Sequence, residues 1–236
     1  MINKLKQAFD KSNKIVFFTG AGMSTDSGIP DFRSETGLYR NNLHAEEIIS
    51  HSFFMANPKE FFDFYKEKMI FEDAKPNYGH LFIANLEKTK DVKVVTQNID
   101  GLHQKAGSSK VYELHGSIHR NYCMKCGKFY DLSAVTAQNG VPYCDCGGII
   151  KPDVVLYEEG LDEETIENAV MAIASADMLV ILGTSLNVYP AASFIRYFRG
   201  NTLAIINKTA TPADNTCDIV IHDSISKTFK LVNDIQ

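Results

Sequence analysis

Short apolar runs alternate with helical patterns along this chain, and this alternation limits its fold more than any other feature. Four runs are continuous and rich in β-branched residues, as expected of strands that are buried on both faces: 15–19, 92–96, 178–182 and 203–206. Parallel strands need helical crossovers between them. The pattern therefore predicts an α/β fold, a Rossmann-like parallel sheet with helices on both faces.

Helical patterns lie between these runs, at 58–70 and 77–88. Asp162 is expected to cap a third helix, which has Glu163 and Glu164 in its first turn and ends near Ala176. The stretch 169–186 is the most apolar of the chain, but Asp177 interrupts it, so we expect a helix followed by a strand and no membrane association.

The composition, 44% hydrophobic and 22% charged, is that of a globular protein. The formal net charge of −5 disfavours nucleic acid as a partner, because binding to phosphates requires clustered Lys and Arg. The first apolar run, 15–18, is too short for the core of an export signal. We therefore expect a cytoplasmic protein.

Four of the five cysteines lie in one segment, namely Cys123, Cys126, Cys144 and Cys146. In a cytoplasmic protein such a cluster indicates a metal site, and four thiolates fill the tetrahedral shell of a structural Zn²⁺ ion. The second pair has one residue between the sulfurs where two are commoner. Cys217 stands apart and is predicted to be a buried, inert thiol.

The strand at 15–19 runs directly into Gly20-Ala21-Gly22. Glycines at a strand-to-helix turn let the backbone approach a pyrophosphate, and the helix N-terminus offers free N–H groups. The usual third glycine is replaced by Thr25. On its own the turn is about as compatible with a tight turn of no function as with a cofactor site.

The continuation, GAGMSTDSGIPDFRSETGLYR at 20–40, resembles the opening motif of the sirtuins, the NAD-dependent protein deacylases. Further similar runs follow in the same order: TQNIDGLH (96–103), ELHGS (113–117), the cysteine cluster, KPDVVLYEE (151–159), GTSLNVYP (183–190) and IIN (205–207). The resemblance covers nearly the whole chain. It implies that NAD⁺ is a co-substrate, that Zn²⁺ is structural, and that the partners are acyl-lysine proteins or peptides.

The resemblance also implies roles for individual residues. His115 would be the general base that takes a proton from a ribose hydroxyl, and Asn98 would orient the ribose or a water molecule. Asp100 would bind the nicotinamide carboxamide, although an Asp before Gly101 is also typical of a turn. The residues expected to contact the cofactor are Gly20, Ala21, Gly22, Thr25, Phe32, Arg33, Gln97, Asn98, Ile99, Asp100, His115, Gly183, Thr184, Ser185, Asn207 and Ile225.

Two segments are expected to pair with an extended substrate peptide by β-augmentation, and their residues are Val154, Val155, Leu156, Asn187 and Val188. Many sirtuins have Phe-Gly-Glu where this chain has Tyr157-Glu158-Glu159. Sirtuins that favour acidic acyl groups often carry Tyr and, three residues later, Arg. Here Tyr65 is followed by Lys68, so acetyl or another neutral acyl group is the expected substrate.

Two alternatives share parts of this pattern: a protein ADP-ribosyltransferase and a non-catalytic NAD-sensing zinc protein. His115 disfavours the first, and the combination of Asn98, Asp100 and His115 would serve no purpose in the second. We expect an NAD-binding domain from residues 1–27, 89–119 and 150–236, a cofactor-binding loop and helical insertion at 28–88, and a zinc-binding module at 120–149.

Overall fold

The computed structural model describes residues 1–31, 37 and 44–235. The strands are β1 (Lys14–Thr19), β2 (Asp91–Thr96), β3 (Val111–Glu113), β4 (Gly116–Cys123), β5 (Phe129–Tyr130), β6 (Ile150–Val154), β7 (Met178–Leu182), β8 (Thr202–Ile206) and β9 (Ile219–Ile221). The α-helices are α1 (Ile2–Lys11), α2 (Ala45–Ile48), α3 (His51–Ala56), α4 (Pro58–Lys68), α5 (Tyr78–Leu86), α6 (Leu102–Ala106), α7 (Leu132–Thr136), α8 (Glu163–Ala174) and α9 (Ile225–Asp234). The four predicted apolar strands and the helices predicted at 58–70, 77–88 and from Glu163 to near Ala176 are confirmed, with ends shifted by no more than two residues.

Six parallel strands form the main sheet in the order β3-β2-β1-β7-β8-β9. The chain moves outward from β1 in one direction as far as β3 and later returns beside β1 as β7. The strand order therefore reverses between β1 and β7. In open α/β sheets the ligand crevice lies outside the carboxyl ends of the strands at such a reversal.

Side chains of β1 alternate between two cores. Ile15 and Phe17 join the core covered by α1, α5 and α9, whereas Val16 and Phe18 join the core covered by α8 and the 3₁₀ helix Ala191–Tyr197. Both sets are buried, which explains why the run is apolar without interruption. The predicted Rossmann-like sheet with helices on both faces is thus confirmed.

Helix ends follow the capping chemistry of the sequence. The Asp162 carboxylate accepts a hydrogen bond from the Thr165 N–H at 2.8 Å, as expected for the cap of α8. Asn77 and His80 form a capping box at the start of α5. Helices α1 and α9 had no counterpart among the predicted elements.

A second, antiparallel sheet of order β5-β4-β6 carries the four clustered cysteines at its end. Phe54 of α3 and Phe61 and Phe62 of α4 pack in one core with Ile118 and Ile150 of this sheet. The helical insertion and the cysteine module therefore share a core beside the main sheet. The expected domain limits stay a prediction. Among the described residues, every helix falls short of the length and apolar character needed to cross a bilayer.

Candidate active site

Two glycine-containing loops meet at the point where the strand order reverses. The Gly22 N–H donates a hydrogen bond to the Gly183 carbonyl at 2.8 Å. A Cβ added to Gly22 would lie 2.7 Å from Gly183 Cα, and Gly183 itself has a φ of +58°. The main reason for glycine at these two positions is therefore the close contact between the loops after β1 and β7.

The segment after β1 differs from the predicted strand-to-helix turn. Instead of an α-helix, two short 3₁₀ turns follow, Ala21–Met23 and Thr25–Ser27. The Thr25 hydroxyl donates to the Gly22 carbonyl at 3.1 Å, which stabilises the first turn. The glycines follow β1 directly as expected, but 3₁₀ turns replace the regular helix whose N-terminus was expected to face a pyrophosphate.

A cleft of about 990 Å³ opens at this point. Its lining includes most residues that the sequence assigned to cofactor and peptide: Gly20, Ala21, Gly22, Thr25, Gln97, Asn98, Ile99, Asp100, His115, Val154, Val155, Leu156, Gly183, Thr184, Ser185, Val188, Asn207 and Ile225. Asn187 is exposed and is not among the lining residues, and Phe32 and Arg33 lie outside the described residues. One cleft therefore joins the glycine turn to the predicted base.

Asp100 lies in this cleft at the end of a short hydrogen-bonded chain. Ser24 Oγ donates to Asp100 Oδ2 at 2.6 Å, and Asn98 Nδ2 donates to Ser24 Oγ at 3.2 Å. The Leu102 N–H donates to the other carboxylate oxygen at 2.9 Å, so the residue also forms the turn expected before Gly101. Burial raises the pKa of the Asp100 carboxyl, while these hydrogen bonds oppose that shift.

The His115 imidazole also borders the cleft, and its orientation is fixed by the backbone. Its Nδ1 lies 3.0 Å from the Gln97 carbonyl oxygen, which can only accept a hydrogen bond. Nδ1 therefore carries the proton, and Nε2 keeps a free lone pair. Burial lowers the pKa of His115, so the ring is neutral near pH 7. A neutral imidazole with one free nitrogen can act as a general base.

The loops that end β2 and β7 are joined through two of the predicted cofactor residues. Gln97 Nε2 donates to Thr184 Oγ1 at 3.1 Å, and the Leu186 N–H donates to the same oxygen at 3.2 Å. At the far end of the cleft, Asn207 Nδ2 donates to the Thr209 carbonyl at 2.9 Å. Polar side chains thus extend across the carboxyl edge of the sheet from β2 to β8.

The four clustered cysteines are arranged as a metal site. Their sulfur atoms all lie within 4.8 Å of one another, with Cys126 and Cys144 3.7 Å apart. Tetrahedral coordination with Zn–S bonds of about 2.3 Å places ligand sulfurs roughly 3.8 Å apart. The residues therefore fit a Zn²⁺ ion, and the single residue between Cys144 and Cys146 does not prevent this arrangement.

Only the first residue of the expected peptide-binding segment, Val154, lies in a strand. β6 ends at Val154, and the Val155 N–H donates to the His115 carbonyl at 3.1 Å. The Leu156 N–H is bound by a Glu159 carboxylate oxygen at 2.9 Å. Tyr157 then pairs with the segment before α3, in a parallel bridge to Ser50. Residues 154–157 therefore line the cleft as a segment held by the hydrogen bond to His115 on one side and by the bridge to Ser50 on the other, and they do not form one continuous strand.

Comparison with known proteins agrees with this geometry. The model of the Sir2 family matches residues 20–190. The chain belongs to the Sir2 family. It is 59% identical to an NAD-dependent protein deacetylase of Clostridium acetobutylicum, over 98% of this chain and 97% of that protein. It is 56% identical to one of Clostridium perfringens, over 99% and 98%.

Solved Sir2 structures have the same fold. One, of Sir2 with a deacetylated p53 peptide and 3′-O-acetyl-ADP-ribose, has a TM-score of 0.90 at 36% identity, with 98% of this chain and 96% of that chain covered. Another, of Sir2 with a p53 peptide and NAD⁺, has a TM-score of 0.86 at 35% identity, with 98% and 97% covered. At 35–36% identity, this similarity supports membership of the Sir2 family as well as a shared fold.

A buried polar chain behind the Sir2 cleft was missed from the sequence. Thr19 Oγ1 donates to Thr96 Oγ1 at 2.8 Å, and the Asn98 N–H donates to the same Thr96 oxygen at 3.0 Å. His103 Nε2 lies 3.2 Å from Thr19 Oγ1, and its ring packs edge-on against His80 with centroids 4.8 Å apart. The chain fixes the backbone of Asn98 from below the pocket.

Ser24 was also given no role, although it joins Asn98 to Asp100. The feature of the sequence that could have indicated a role for Ser24 is its position within the motif at 20–40. Of the two residues used to predict the acyl group, Tyr65 is fully buried and stacks on Phe61, whereas Lys68 lines the cleft. Only Lys68 of this pair can therefore face an acyl group in the cleft of this Sir2 protein.

Proposed function

We propose that the protein removes acetyl or another neutral acyl group from lysine side chains of other proteins, with NAD⁺ as co-substrate. One water molecule is consumed as well, and the products are free lysine, nicotinamide and O-acyl-ADP-ribose. One observation carries this proposal: a neutral imidazole, His115, lines the same cleft as the glycine turn and Asp100. A cofactor site with a base beside it suits transfer to a hydroxyl group.

The cleft residues divide the work by position. NAD⁺, when bound, would supply a ribose carbon that the acyl-lysine carbonyl oxygen can attack as nicotinamide leaves. Asp100 and the Ile99 backbone hold the nicotinamide carboxamide, and Asn98 orients the ribose or a water molecule. His115 Nε2 takes the proton of a ribose hydroxyl, which makes that oxygen a better nucleophile toward the acyl carbon. Because the reacting groups lie inside the cleft, bulk water does not replace the acyl oxygen at the ribose carbon, and one water molecule is used later to release lysine.

The remaining assigned residues bind the rest of the co-substrate. Gly20 to Gly22, with Thr25, Thr184 and Ser185, contact the phosphates. Gln97 bonds ribose hydroxyls, Asn207 bonds those of the adenosine half, and Ile225 borders the adenine. Phe32 and Arg33 belong to the same motif and are assigned the sugar and the phosphates on the resemblance alone.

Zinc serves the fold in this proposal. Cys123, Cys126, Cys144 and Cys146 supply four thiolates, which complete a tetrahedral shell and leave no position for a reacting water. The thiols persist as ligands in a reducing compartment, which supports the cytoplasm as the location. We also propose the division of the chain into an NAD-binding domain, a helical insertion and a zinc module.

A product analysis tests the function against its rivals. We would incubate the protein with NAD⁺ and an acetyl-lysine peptide and identify the products by mass. O-acetyl-ADP-ribose is the expected product. A peptide heavier by one ADP-ribose would favour the ADP-ribosyltransferase alternative, and unchanged reactants would favour a non-catalytic NAD-sensing zinc protein.

Two further measurements sharpen the test. His115→Ala should abolish deacylation while the circular dichroism spectrum stays unchanged, whereas His44→Ala, at an exposed position outside the cleft lining, should keep full activity. Succinyl-lysine peptides should be turned over more slowly than acetyl-lysine peptides. Full activity of His115→Ala would remove the proposed base.

A further inference from the structure

Glu158 has an unusual backbone for its residue type. Its φ is +76°, in the left-handed region that favours glycine, and of the described non-glycine residues only Leu186 shares this property. At this position the resemblance noted above places a glycine in many sirtuins. A left-handed backbone in a residue with a Cβ costs free energy and persists where other contacts hold it.

The contacts that hold Glu158 come from the start of α3. Its Oε2 accepts a hydrogen bond from the Ser52 N–H at 2.8 Å, and its Oε1 accepts one from Ser52 Oγ at 3.0 Å. Both donors are neutral, so they orient the carboxylate without cancelling its charge. Ser52 thereby fixes an exposed negative group at one place on the rim of the cleft.

The neighbouring Glu159 shows the opposite arrangement. Its carboxylate is bound by His51 at 2.8 Å, by Lys151 at 3.2 Å and by the Leu156 N–H. That carboxylate serves the local structure. For Glu158, the described residues provide hydrogen bonds from Ser52 but no ion pair, and the carboxylate remains exposed.

The position of Glu158 relates it to the substrate. It lines the cleft together with Val155 and Leu156, the edge expected to pair with the peptide, and it follows that edge by two residues. In an extended peptide, neighbouring residues are about 3.4 Å apart along the chain. A long basic side chain next to the acyl-lysine can therefore reach the carboxylate when the acyl group enters the cleft.

We propose that Glu158 is a specificity-determining residue that favours substrates with Lys or Arg close to the acyl-lysine. This inference rests on the proposed deacylase function. The acyl-lysine itself has lost its charge, so the flanking residues are the part of the substrate that an exposed carboxylate attracts. Because the pair would be exposed to solvent, its effect is modest and is screened by salt.

The test uses one neutral acetyl-lysine peptide and two derived series, with Arg or Glu placed singly at each of three positions on either side. The Arg peptide should exceed the Glu peptide in kcat/KM by about fivefold at one position or two adjacent positions, mainly through KM. The ratio should fall toward one in Glu158→Gln, which keeps an oxygen for Ser52 but removes the charge. It should also fall in 0.5 M salt.

Two control variants isolate the charge. Asp10→Asn removes a carboxylate that does not line the cleft and should keep the ratio. Glu158→Gly removes the carboxylate and suits the left-handed backbone, so it should fold well and also lose the ratio. A wild-type ratio near one at every position, or an unchanged ratio in Glu158→Gln, would overturn the proposal. Failure to deacetylate even the neutral peptide would instead count against the proposed function.

Discussion

Two buried histidines should make the protein lose stability as the pH falls below about 6.5. His80 and His103 lie behind the cleft, 0% and 1% exposed, with their rings in contact. Burial lowers the pKa of His80 to about 4. Burial, and then the neighbouring His80, hold the pKa of His103 well below its ordinary value.

The direction of this change in stability follows from the number of protons that the folded and unfolded states bind. In the unfolded chain both imidazoles titrate near 6.5, so below that pH the unfolded state binds protons that the folded state does not. The stabilising contribution is complete above 6.5 and is lost as the pH falls toward the folded value. For His80 alone, a shift from 6.5 to about 4 predicts a loss on the order of 1–2 kcal/mol between pH 6.5 and pH 5.

Urea unfolding followed by far-ultraviolet circular dichroism suits this measurement, because the chain has no tryptophan. His80→Gln is the informative variant, since glutamine at this position can maintain the capping box of α5 without titrating. Between pH 6.5 and pH 5 its free energy of unfolding should fall less than that of the wild type, by a difference on the order of 1–2 kcal/mol. His44→Gln, at an exposed ring, should retain the wild-type pH dependence. Equal losses in His80→Gln and the wild type would refute the reasoning.

Three further predictions concern the site and the metal. Gly22→Ala should lower the free energy of unfolding by about 1–3 kcal/mol and weaken NAD⁺ binding, measured by urea unfolding and calorimetry, because the added methyl meets the loop after β7. Cys146→Ser should lose zinc in a metal analysis of the purified protein, whereas Cys217→Ser should keep it. Thr96→Val should lower the free energy of unfolding by about 1–3 kcal/mol and reduce kcat, because the Asn98 N–H loses its acceptor; an unchanged kcat would contradict this positioning role.

The sequence indicated the sheet because both of its faces are covered. Strands buried on both sides must be apolar at every position, and such runs stand out, as with the two central strands β1 and β7. The short strand β3 is half-buried throughout and has no such run. Helix α1 carries Leu5 and Phe9 toward the core, but too few other apolar positions to separate it from a polar terminal segment.

The candidate site was predicted as a set of residues, not as a geometry. Motif order indicated His115, Asp100 and the cysteine cluster, and the structure brings the first two to one cleft. The buried polar chain through Thr19 and Thr96 could not be predicted, because it joins residues 77 positions apart across two strands. Hydrogen bonds of this kind depend on which residues of adjacent strands lie side by side. The residue types at individual positions of the sequence do not show this register.

The three-stranded sheet has a consequence for how the metal and the chemistry depend on each other. β4 begins at Gly116, directly after the imidazole-bearing residue, and ends at Cys123, while β6 leaves the cysteine cluster and ends at Val154 on the cleft. A chelator that removes the ion would therefore loosen the paired strands β4 and β6, which extend on the order of 20 Å from the cysteines to the cleft. Deacetylase activity should therefore decline before the six-stranded sheet unfolds. Activity should fall gradually as the zinc supply falls.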